Sequence, residues 1–133
     1  MPVIRFGVSL EKHIMDALDD YVDENKFPNR SQAIRNLIEK NIVEKKWKCN
    51  NEVAGAIVIL YDHHKRDITN RANSIQHEYH KHVLSSQHVH LDHDMCLETI
   101  VVKGKAKQLT ELADKLIALK GVKHGKLIMT RTD

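Results

Sequence analysis

Residues 86–96 of this 133-residue chain read Ser86-Gln87-His88-Val89-His90-Leu91-Asp92-His93-Asp94-Met95-Cys96. Side chains alternate between the two faces of a strand, so Val89 and Leu91 share one face while His88 and His90 share the other. The polar segment that follows has the composition of a turn, which predicts a hairpin whose second strand begins at Cys96. Such a hairpin would bring one thiolate beside two imidazoles.

This combination of donors indicates a metal site. Neutral imidazoles and a thiolate suit borderline transition metals, whereas Ca²⁺ and Mg²⁺ prefer oxygen. The chain contains ten histidines, and a single one is more often an ordinary surface residue than a ligand. Alternating histidines followed by a cysteine on the adjoining strand are harder to explain by chance. The stretch therefore predicts a transition-metal site that includes His88, His90 and Cys96.

Length and composition allow one ordinary domain or two small ones and exclude several classes of protein. The formal net charge of +3 is too small to indicate nucleic-acid binding by itself. No apolar stretch is long enough to span a bilayer and no signal-peptide pattern is present, so we expect a cytoplasmic protein without a membrane partner. Two cysteines, Cys49 and Cys96, are too few for a disulfide scaffold. Cys96 is therefore available as a reduced ligand, and Cys49 is expected to be incidental.

The first fifty residues predict one strand and two helices. Residues 4–10 alternate between apolar and polar side chains, which is typical of a half-buried strand. Ser9 is the expected cap of the first helix. Asn29, with Gln32 three positions later, resembles a capping box at the start of the second helix.

A lone strand with two short helices leaves both strand edges unpaired and buries little surface. Pairing of two such strands about a two-fold axis would solve both problems, and a two-stranded ribbon fits the DNA major groove. The ribbon would present Arg5, Gly7 and Ser9, while Arg30 and the amides opening the second helix could hold a phosphate. The pattern is similar to the ribbon-helix-helix repressors and favours a DNA-binding domain over residues 1–48 rather than an ordinary solvated strand.

Residues 53–133 predict a second domain, which follows a charged linker. An apolar strand at residues 53–61 precedes a helix, the hairpin, a second helix that ends near Gly121 and a last strand around residues 126–130. The order βαββαβ is that of the ferredoxin-like fold, with both helices on one face of the sheet, so the whole chain is of the α+β class. We expect Val89 and Leu91 to face those helices and the two histidines to lie on the open face.

His77 lies roughly opposite the apolar stripe of the first helix in this second domain. Its imidazole should therefore point to solvent or to another subunit. A metal held by three donors of one chain leaves a fourth position, which an outward histidine of a neighbouring chain could fill.

Several motifs along the whole chain resemble the NikR family of nickel-responsive ribbon-helix-helix regulators. They are Gln76-His77, Ser85-Ser86-Gln87-His88-Val89-His90, Cys96-Leu97-Glu98, Val102-Lys103-Gly104 and residues 119–125. The resemblance implies a homotetramer in which a central block of ferredoxin-like (ACT-type) domains is flanked by two dimeric DNA-binding ends. It also implies one Ni²⁺ per subunit, bound in square-planar geometry by His88, His90 and Cys96 of one chain and by His77 of another.

The resemblance further implies a regulator without enzymatic activity, which represses nickel-uptake genes at a two-fold symmetric operator on double-stranded DNA. Lys65 and Arg66 precede the helix that carries His77 and could touch DNA phosphates once that helix is ordered. Because Cys96 must ionise and the histidines must be neutral, metal affinity should fall in acid.

The sequence departs from the family pattern in two respects. Gln32 and Asn36 stand where members of the family carry acidic residues that help to form a second cation site, so the resemblance does not extend to that site. Gly7 replaces a hydroxyl residue often found on the ribbon, which would alter the operator sequence. His63 and His64, adjacent in a charged turn, are expected to be solvated rather than to form an auxiliary metal site.

Three other functions remain open. A copper electron-transfer protein also uses two histidines and a cysteine, although Met95 faces away from Cys96 and is poorly placed as an axial ligand. A zinc hydrolase needs a vacant coordination position and a general base, for which Glu98 is the candidate. A ribbon-helix-helix regulator could instead sense a small organic molecule. The sequence does not rank Ni²⁺ against Cu²⁺ or Co²⁺.

Overall fold

A computed structural model describes residues 2–65 and 67–133, so the predicted DNA contact Arg66 lies outside the described residues. The chain divides into two compact units, residues 1–41 and 42–133. The helices and strands in chain order are α1 (Lys12–Glu24), α2 (Arg30–Lys48), β1 (Glu52–Asp62), α3 (Ile68–Glu78), β2 (Val83–His90), β3 (Met95–Lys105), α4 (Ala106–Ile117) and β4 (Val122–Arg131). No described helix combines the length and the hydropathy that crossing a bilayer requires.

The second unit is built on a four-stranded antiparallel sheet with the strand order β2-β3-β1-β4. β1 and β3 are the central strands, and α3 and α4 make the two crossovers that return the chain to the sheet. The predicted order βαββαβ is confirmed.

The core of this unit lies between one face of the sheet and the two helices α3 and α4. Every second residue of β1 from Val53 to Tyr61 is buried, as expected for a strand with one covered face. The helices contribute apolar side chains at helical spacing, which are Ile68, Ala72, Leu109, Leu112, Ala113 and Leu116. Trp47, in the last turn of α2, is also buried, and its Nε1 donates a hydrogen bond to the Thr130 carbonyl at 2.9 Å. That bond anchors the end of α2 to β4.

The predicted orientation of β2 is wrong. The strand register places His88 opposite Glu98 and His90 opposite Cys96, and directly opposed residues on adjacent strands share a face. Cys96 and Glu98 are on the buried, helix-covered face of β3. Both histidines therefore lie on that face, while Val89 lies on the open face and is 42 % exposed.

The physical reason for this error is that the open face of the sheet is itself apolar. Its side chains include Ala54, Ala56, Val58, Leu60, Leu97, Val101 and Ile128, all of which are half-buried or exposed in the single chain. An apolar residue in β2 is therefore compatible with either face. Polarity alternation alone could not decide which face the helices cover.

The first unit contains α1 and most of α2, and it departs from the prediction at its N-terminus. Residues 2–10 are all exposed and none is assigned to a strand. A strand exists only where its backbone groups have a partner, and the expected partner belongs to a second chain. The dimeric ribbon over residues 4–10 therefore stays a prediction.

The predictions for the two helix starts have opposite outcomes. Ser9 does not cap α1, because the helix begins three residues later and its N-cap position is Glu11, which makes no side-chain cap bond. Asn29 does cap α2, since its Oδ1 accepts a hydrogen bond from the Gln32 amide at 2.9 Å. The cap at Asn29 is confirmed and the cap at Ser9 is wrong.

Candidate metal centre

The turn between β2 and β3 fixes the position of Cys96. Asp92 Oδ1 accepts hydrogen bonds from the amides of Asp94 at 2.9 Å and Met95 at 2.8 Å. These backbone bonds hold the pKa of Asp92 below its usual range. The Leu91 amide also donates to the Met95 carbonyl at 2.8 Å. These bonds close the turn, and Cys96, the second residue of β3, lies directly opposite His90.

The side chains of Cys96 and His90 meet at the edge of the helix-covered face. Cys96 Sγ lies 3.3 Å from His90 Nδ1. Atoms that bind one ion at about 2.0 to 2.3 Å must lie within about 4.6 Å of one another, and this pair meets that condition. Burial raises the pKa of the Cys96 thiol, with smaller contributions from Asp62, Asp92 and Glu98. The thiol is therefore protonated near neutral pH until a cation replaces its proton.

His63 joins these two donors, and the sequence prediction missed it. Its ring centroid lies 4.8 Å from that of His90, and ligand atoms of His63, His90 and Cys96 all lie within 4.8 Å of one another. His63 is half-buried rather than fully solvated. The strand pairing could have indicated this position of His63. Because β1 pairs with β3, the turn after β1 lies beside the start of β3.

His88 occupies the neighbouring position on β2, with its ring centroid 5.1 Å from that of His90. His88 Nδ1 lies 3.0 Å from the hydroxyl of Tyr61. That hydroxyl donates its proton to Glu98 Oε1, also at 3.0 Å. In the neutral imidazole Nδ1 is therefore the donor toward Tyr61, which leaves Nε2 with a free lone pair. His88 is thus a neighbour of His90, but the group whose ligand atoms lie within 4.8 Å of one another contains His63, His90 and Cys96 and does not include His88.

A buried carboxylate organises this part of the site. Glu98 is 4 % exposed and accepts hydrogen bonds from Gln76 Nε2 at 2.6 Å and Ser86 Oγ at 2.9 Å, in addition to that from Tyr61. Burial and the nearby negative charge raise the pKa of Tyr61, so the phenol keeps its proton. Sequence reasoning identified Glu98 as a possible base but missed its three hydrogen-bond donors.

The arrangement bears on two of the alternative functions. Glu98 uses its two oxygens as acceptors for three side chains, so it is a positioning group rather than an open general base of a zinc hydrolase. Met95 precedes Cys96 on β3 and points to the other face of the sheet, which does not suit an axial copper ligand.

His77 lies near the C-terminal end of α3 and is exposed, as its position opposite the apolar stripe predicts. Its ring stacks on that of His80, with centroids 5.9 Å apart. His77 also lines a shallow surface depression, together with Asn70, Asn73, Ser74 and Glu78. The expected contribution of His77 to a metal site on another chain stays a prediction.

The predicted DNA contacts differ in their surroundings. Arg5, Gly7, Ser9 and Lys65 are exposed. Arg30 forms a two-pronged ion pair with Asp19, at 2.7 Å from Nε and 3.0 Å from Nη2. This pair raises the pKa of Arg30 and lowers that of Asp19, in each case through the hydrogen bond between them. A phosphate would therefore compete with Asp19 for the Arg30 guanidinium.

Comparison with known proteins agrees with the donor chemistry. The family model described as the NikR C terminal nickel binding domain matches residues 54–130. A protein of Pyrococcus furiosus is 47 % identical over 99 % of this chain and 96 % of its own length, and one of Geobacter sulfurreducens is 47 % identical over 97 % and 94 %. Both are named "Putative nickel-responsive regulator".

A solved structure is also similar to this chain. It is that of an uncharacterized protein from Thermotoga maritima, with a TM-score of 0.54, and it covers 59 % of this chain and 98 % of the other. At 16 % identity this likeness shows the fold alone. The full-length relatives and the matching nickel-binding domain together show that the chain belongs to the NikR family.

Proposed function

We propose that the chain is a cytoplasmic, nickel-responsive transcriptional regulator that binds double-stranded DNA as a homotetramer. It represses nickel-uptake genes when Ni²⁺ is bound, one per subunit, and it has no enzymatic activity. The observation that carries the proposal is the close approach of Cys96 Sγ to His90 Nδ1, at 3.3 Å, with the imidazole of His88 beside that of His90.

The proposed ligands are His88, His90 and Cys96 of one chain and His77 of a partner subunit. When bound, the ion supplies a link between donors of two chains. Tyr61 and Glu98 hold His88 in the tautomer that leaves Nε2 available. The Cys96 thiol has a raised pKa and must lose its proton, so metal affinity should fall in acid.

The N-terminal unit supports the proposed dimer. Exposed and half-buried apolar side chains of this unit line a groove of about 450 Å³, among them Phe6, Val8, Leu10, Ile14, Leu18 and Leu37. Exposed apolar groups of this extent mark an interaction surface. The second copy of residues 4–10 would cover the groove and supply the missing strand partner. The resulting ribbon would present Arg5, Gly7 and Ser9 to the major groove at a two-fold symmetric operator.

The turn after β1 connects the donor cluster to the proposed phosphate contacts. The His63 amide donates to the Asp94 carbonyl at 3.1 Å, and the Lys65 amide donates to the Asp62 carbonyl at 3.1 Å. Ordering of the β2–β3 turn would therefore be transmitted to Lys65, which Arg66 follows in the sequence. These side chains, together with Arg30, would add affinity that is independent of sequence. Couplings of this kind are typically about 1 to 3 kcal/mol, or about 5- to 150-fold in affinity.

The direct test is DNA binding by the full-length protein in Ni²⁺ and in chelator. DNA selected from a random library in the presence of Ni²⁺ should contain a two-fold symmetric sequence, bound at least about fivefold more tightly with Ni²⁺ than without. His90→Ala should remove this difference, whereas His13→Ala, an exposed histidine on α1, should retain it. Equal affinity in the two conditions would reject the switch.

The shared site has its own test, which uses two inactive variants. His77→Ala chains lack the donor given to a neighbour, and Cys96→Ala chains lack one of the three local donors. Mixed oligomers should regain some complete sites only if His77 serves another chain. Tight Ni²⁺ binding that is no greater in the mixture than in either variant alone would contradict the shared ligand. Light scattering should also give four times the chain mass of 15.4 kDa.

A further inference from the structure

The stretch of α3 around His77 is attached to the rest of the sheet unit on both sides of that residue. On one side, Gln76 Nε2 donates a hydrogen bond to Glu98 Oε2 on β3 at 2.6 Å. On the other side, the two residues that follow His77 contact Lys115 of α4. The imidazole of His77 is exposed between these attachments. The position of its backbone therefore depends on contacts that its neighbours make.

Lys115 makes two kinds of contact with the end of α3. Its Nζ lies 3.3 Å from Glu78 Oε1 and 5.0 Å from the ring centroid of Tyr79. A cation over an aromatic ring is attracted by the negative face of the ring. Tyr79 is half-buried and packs against the hydrophobic core, so its ring is a fixed platform for the ammonium group. Hydrogen bonds to Tyr79 and Glu78 raise the pKa of Lys115, so the amine keeps its charge.

These contacts lie where a helix is least stable by itself. Glu78 is the last residue of α3 and Tyr79 is its C-cap. The last carbonyls of a helix have no partner within it, and a cation near that end is favoured by the helix dipole. Lys115 is itself held in place, because the adjacent Leu116 on α4 is fully buried. Lys115 therefore stabilises the terminal turn of α3, in which His77 is the second-to-last residue.

We propose that Lys115 is a positioning residue for the metal centre, because it holds the end of α3 in the position from which His77 reaches a neighbouring chain. This inference rests on the proposed function, in which His77 binds the Ni²⁺ of a partner subunit. A donor on an ordered helix end loses less conformational freedom when it binds. An exposed ion pair alone would contribute little, since the side chains of Lys115 and Glu78 are 41 % and 61 % exposed. The additional contact with Tyr79 distinguishes this arrangement from such a pair.

The test measures the Ni²⁺ affinity of the full-length protein by competition with a chelator. Lys115→Met removes the charge but keeps a long side chain, and it should weaken Ni²⁺ binding by about three- to tenfold. Lys115→Arg keeps the charge and can stack on the ring, so it should restore most of the affinity. Lys107→Met, which removes an exposed lysine from the first turn of α4, is the matched control and should bind Ni²⁺ as the unmodified chain does. Equal affinity of Lys115→Met and the unmodified chain would overturn the proposal.

A double-mutant cycle with His77→Ala separates positioning from a general effect on the fold. In chains that lack His77, Lys115→Met should cause no further loss of Ni²⁺ affinity, because the residue that it positions is absent. A loss of the same size with and without His77 would reject the positioning role.

The same four proteins distinguish failure of this inference from failure of the proposed function. If His77→Ala alone left the Ni²⁺ affinity unchanged, the shared ligand would be rejected, and the role of Lys115 with it. If His77→Ala weakened Ni²⁺ binding but Lys115→Met did not, the shared ligand would stand and only the role of Lys115 would be rejected.

Discussion

The two units of this chain bury their apolar side chains to very different extents. In the sheet unit, Leu109 and Leu112 are fully buried, whereas Ile4 and Phe6 in the N-terminal unit are 87 % and 75 % exposed. Both segments are amphipathic in sequence. The difference is that the sheet and its helices supply each other with a partner inside one chain, while the N-terminal segment requires one from outside. The proposed metal ligands of one chain can therefore come together without association, whereas the proposed DNA-binding surface cannot form without it.

The largest expected effect comes from placing a charge on the N-terminal surface. Phe6→Asp should prevent strand pairing, and affinity for the selected operator should fall toward the unspecific level, by at least about a thousandfold. Binding of Ni²⁺ per subunit should be unchanged, because the donors lie in the other unit. DNA titrations and calorimetry check the two halves of this prediction. Loss of nickel binding in Phe6→Asp would show that nickel binding by the sheet unit depends on the N-terminal unit.

Shortening a buried side chain in the sheet unit tests the same difference in burial between the two units. Leu112→Ala removes a fully buried side chain and should lower the free energy of unfolding by about 2 to 5 kcal/mol. Phe6→Ala, measured in dilute protein without DNA, should change it far less. Denaturant unfolding can be followed through Trp47, which is the single tryptophan and is buried in the sheet unit. If Leu112→Ala and Phe6→Ala lowered the free energy of unfolding equally, the difference in burial between the two units would be contradicted.

A smaller effect is expected from the hydroxyl that holds His88. Tyr61→Phe should weaken Ni²⁺ binding by about 10- to 100-fold, since it removes the hydrogen-bond partner of His88 Nδ1 and one donor to Glu98. Ser86→Ala removes another donor to Glu98 without touching His88, so its effect should be smaller. Competition with a chelator of known affinity measures both variants. A larger loss in Ser86→Ala would assign the effect to Glu98 rather than to His88.

The smallest expected effect lies in the N-terminal unit, at the ion pair of Asp19 and Arg30. Asp19→Asn should free the guanidinium for phosphate, so DNA affinity should rise a few-fold and the salt dependence should steepen by about one phosphate contact. Asp16→Asn, which alters an exposed pair with Lys12, is the control. Unchanged DNA affinity in Asp19→Asn would remove Arg30 from the list of phosphate contacts.

The ion pair of Asp19 and Arg30 should stabilise the fold less as the pH falls. The folded-state pKa of Asp19 is lowered from its ordinary value of 3.8 by the hydrogen bond from Arg30. The contribution of this ion pair to stability is therefore complete above pH 3.8 and is lost as the pH falls through the folded-state pKa of Asp19. An NMR titration of the Asp19 carboxyl should show a midpoint below 3.8. A midpoint at or above 3.8 would contradict the pairing in solution.

Local patterns predicted the elements of the sheet unit and the hairpin that brings Cys96 to His90. They failed where the answer depended on distant residues. His63 reaches the donors through the pairing of β1 with β3, and the orientation of His88 depends on an open face that is apolar in its own right. Ser9 is a residue type that often caps helices, but α1 begins three residues later, at Lys12. Residues 4–10 have strand periodicity, yet within one chain they have nothing to pair with.

The hydrogen bonds around Glu98 limit how this centre could be transplanted. A hairpin that carries His88, His90 and Cys96 is short and looks easy to graft onto another protein. Glu98 and its three donors, however, come from four separate elements, since Tyr61 lies on β1, Gln76 on α3, Ser86 on β2 and Glu98 itself on β3. A designer who copied the hairpin alone would obtain the ligands without the supports that orient them, so the smallest portable version of the site is the sheet together with its first helix.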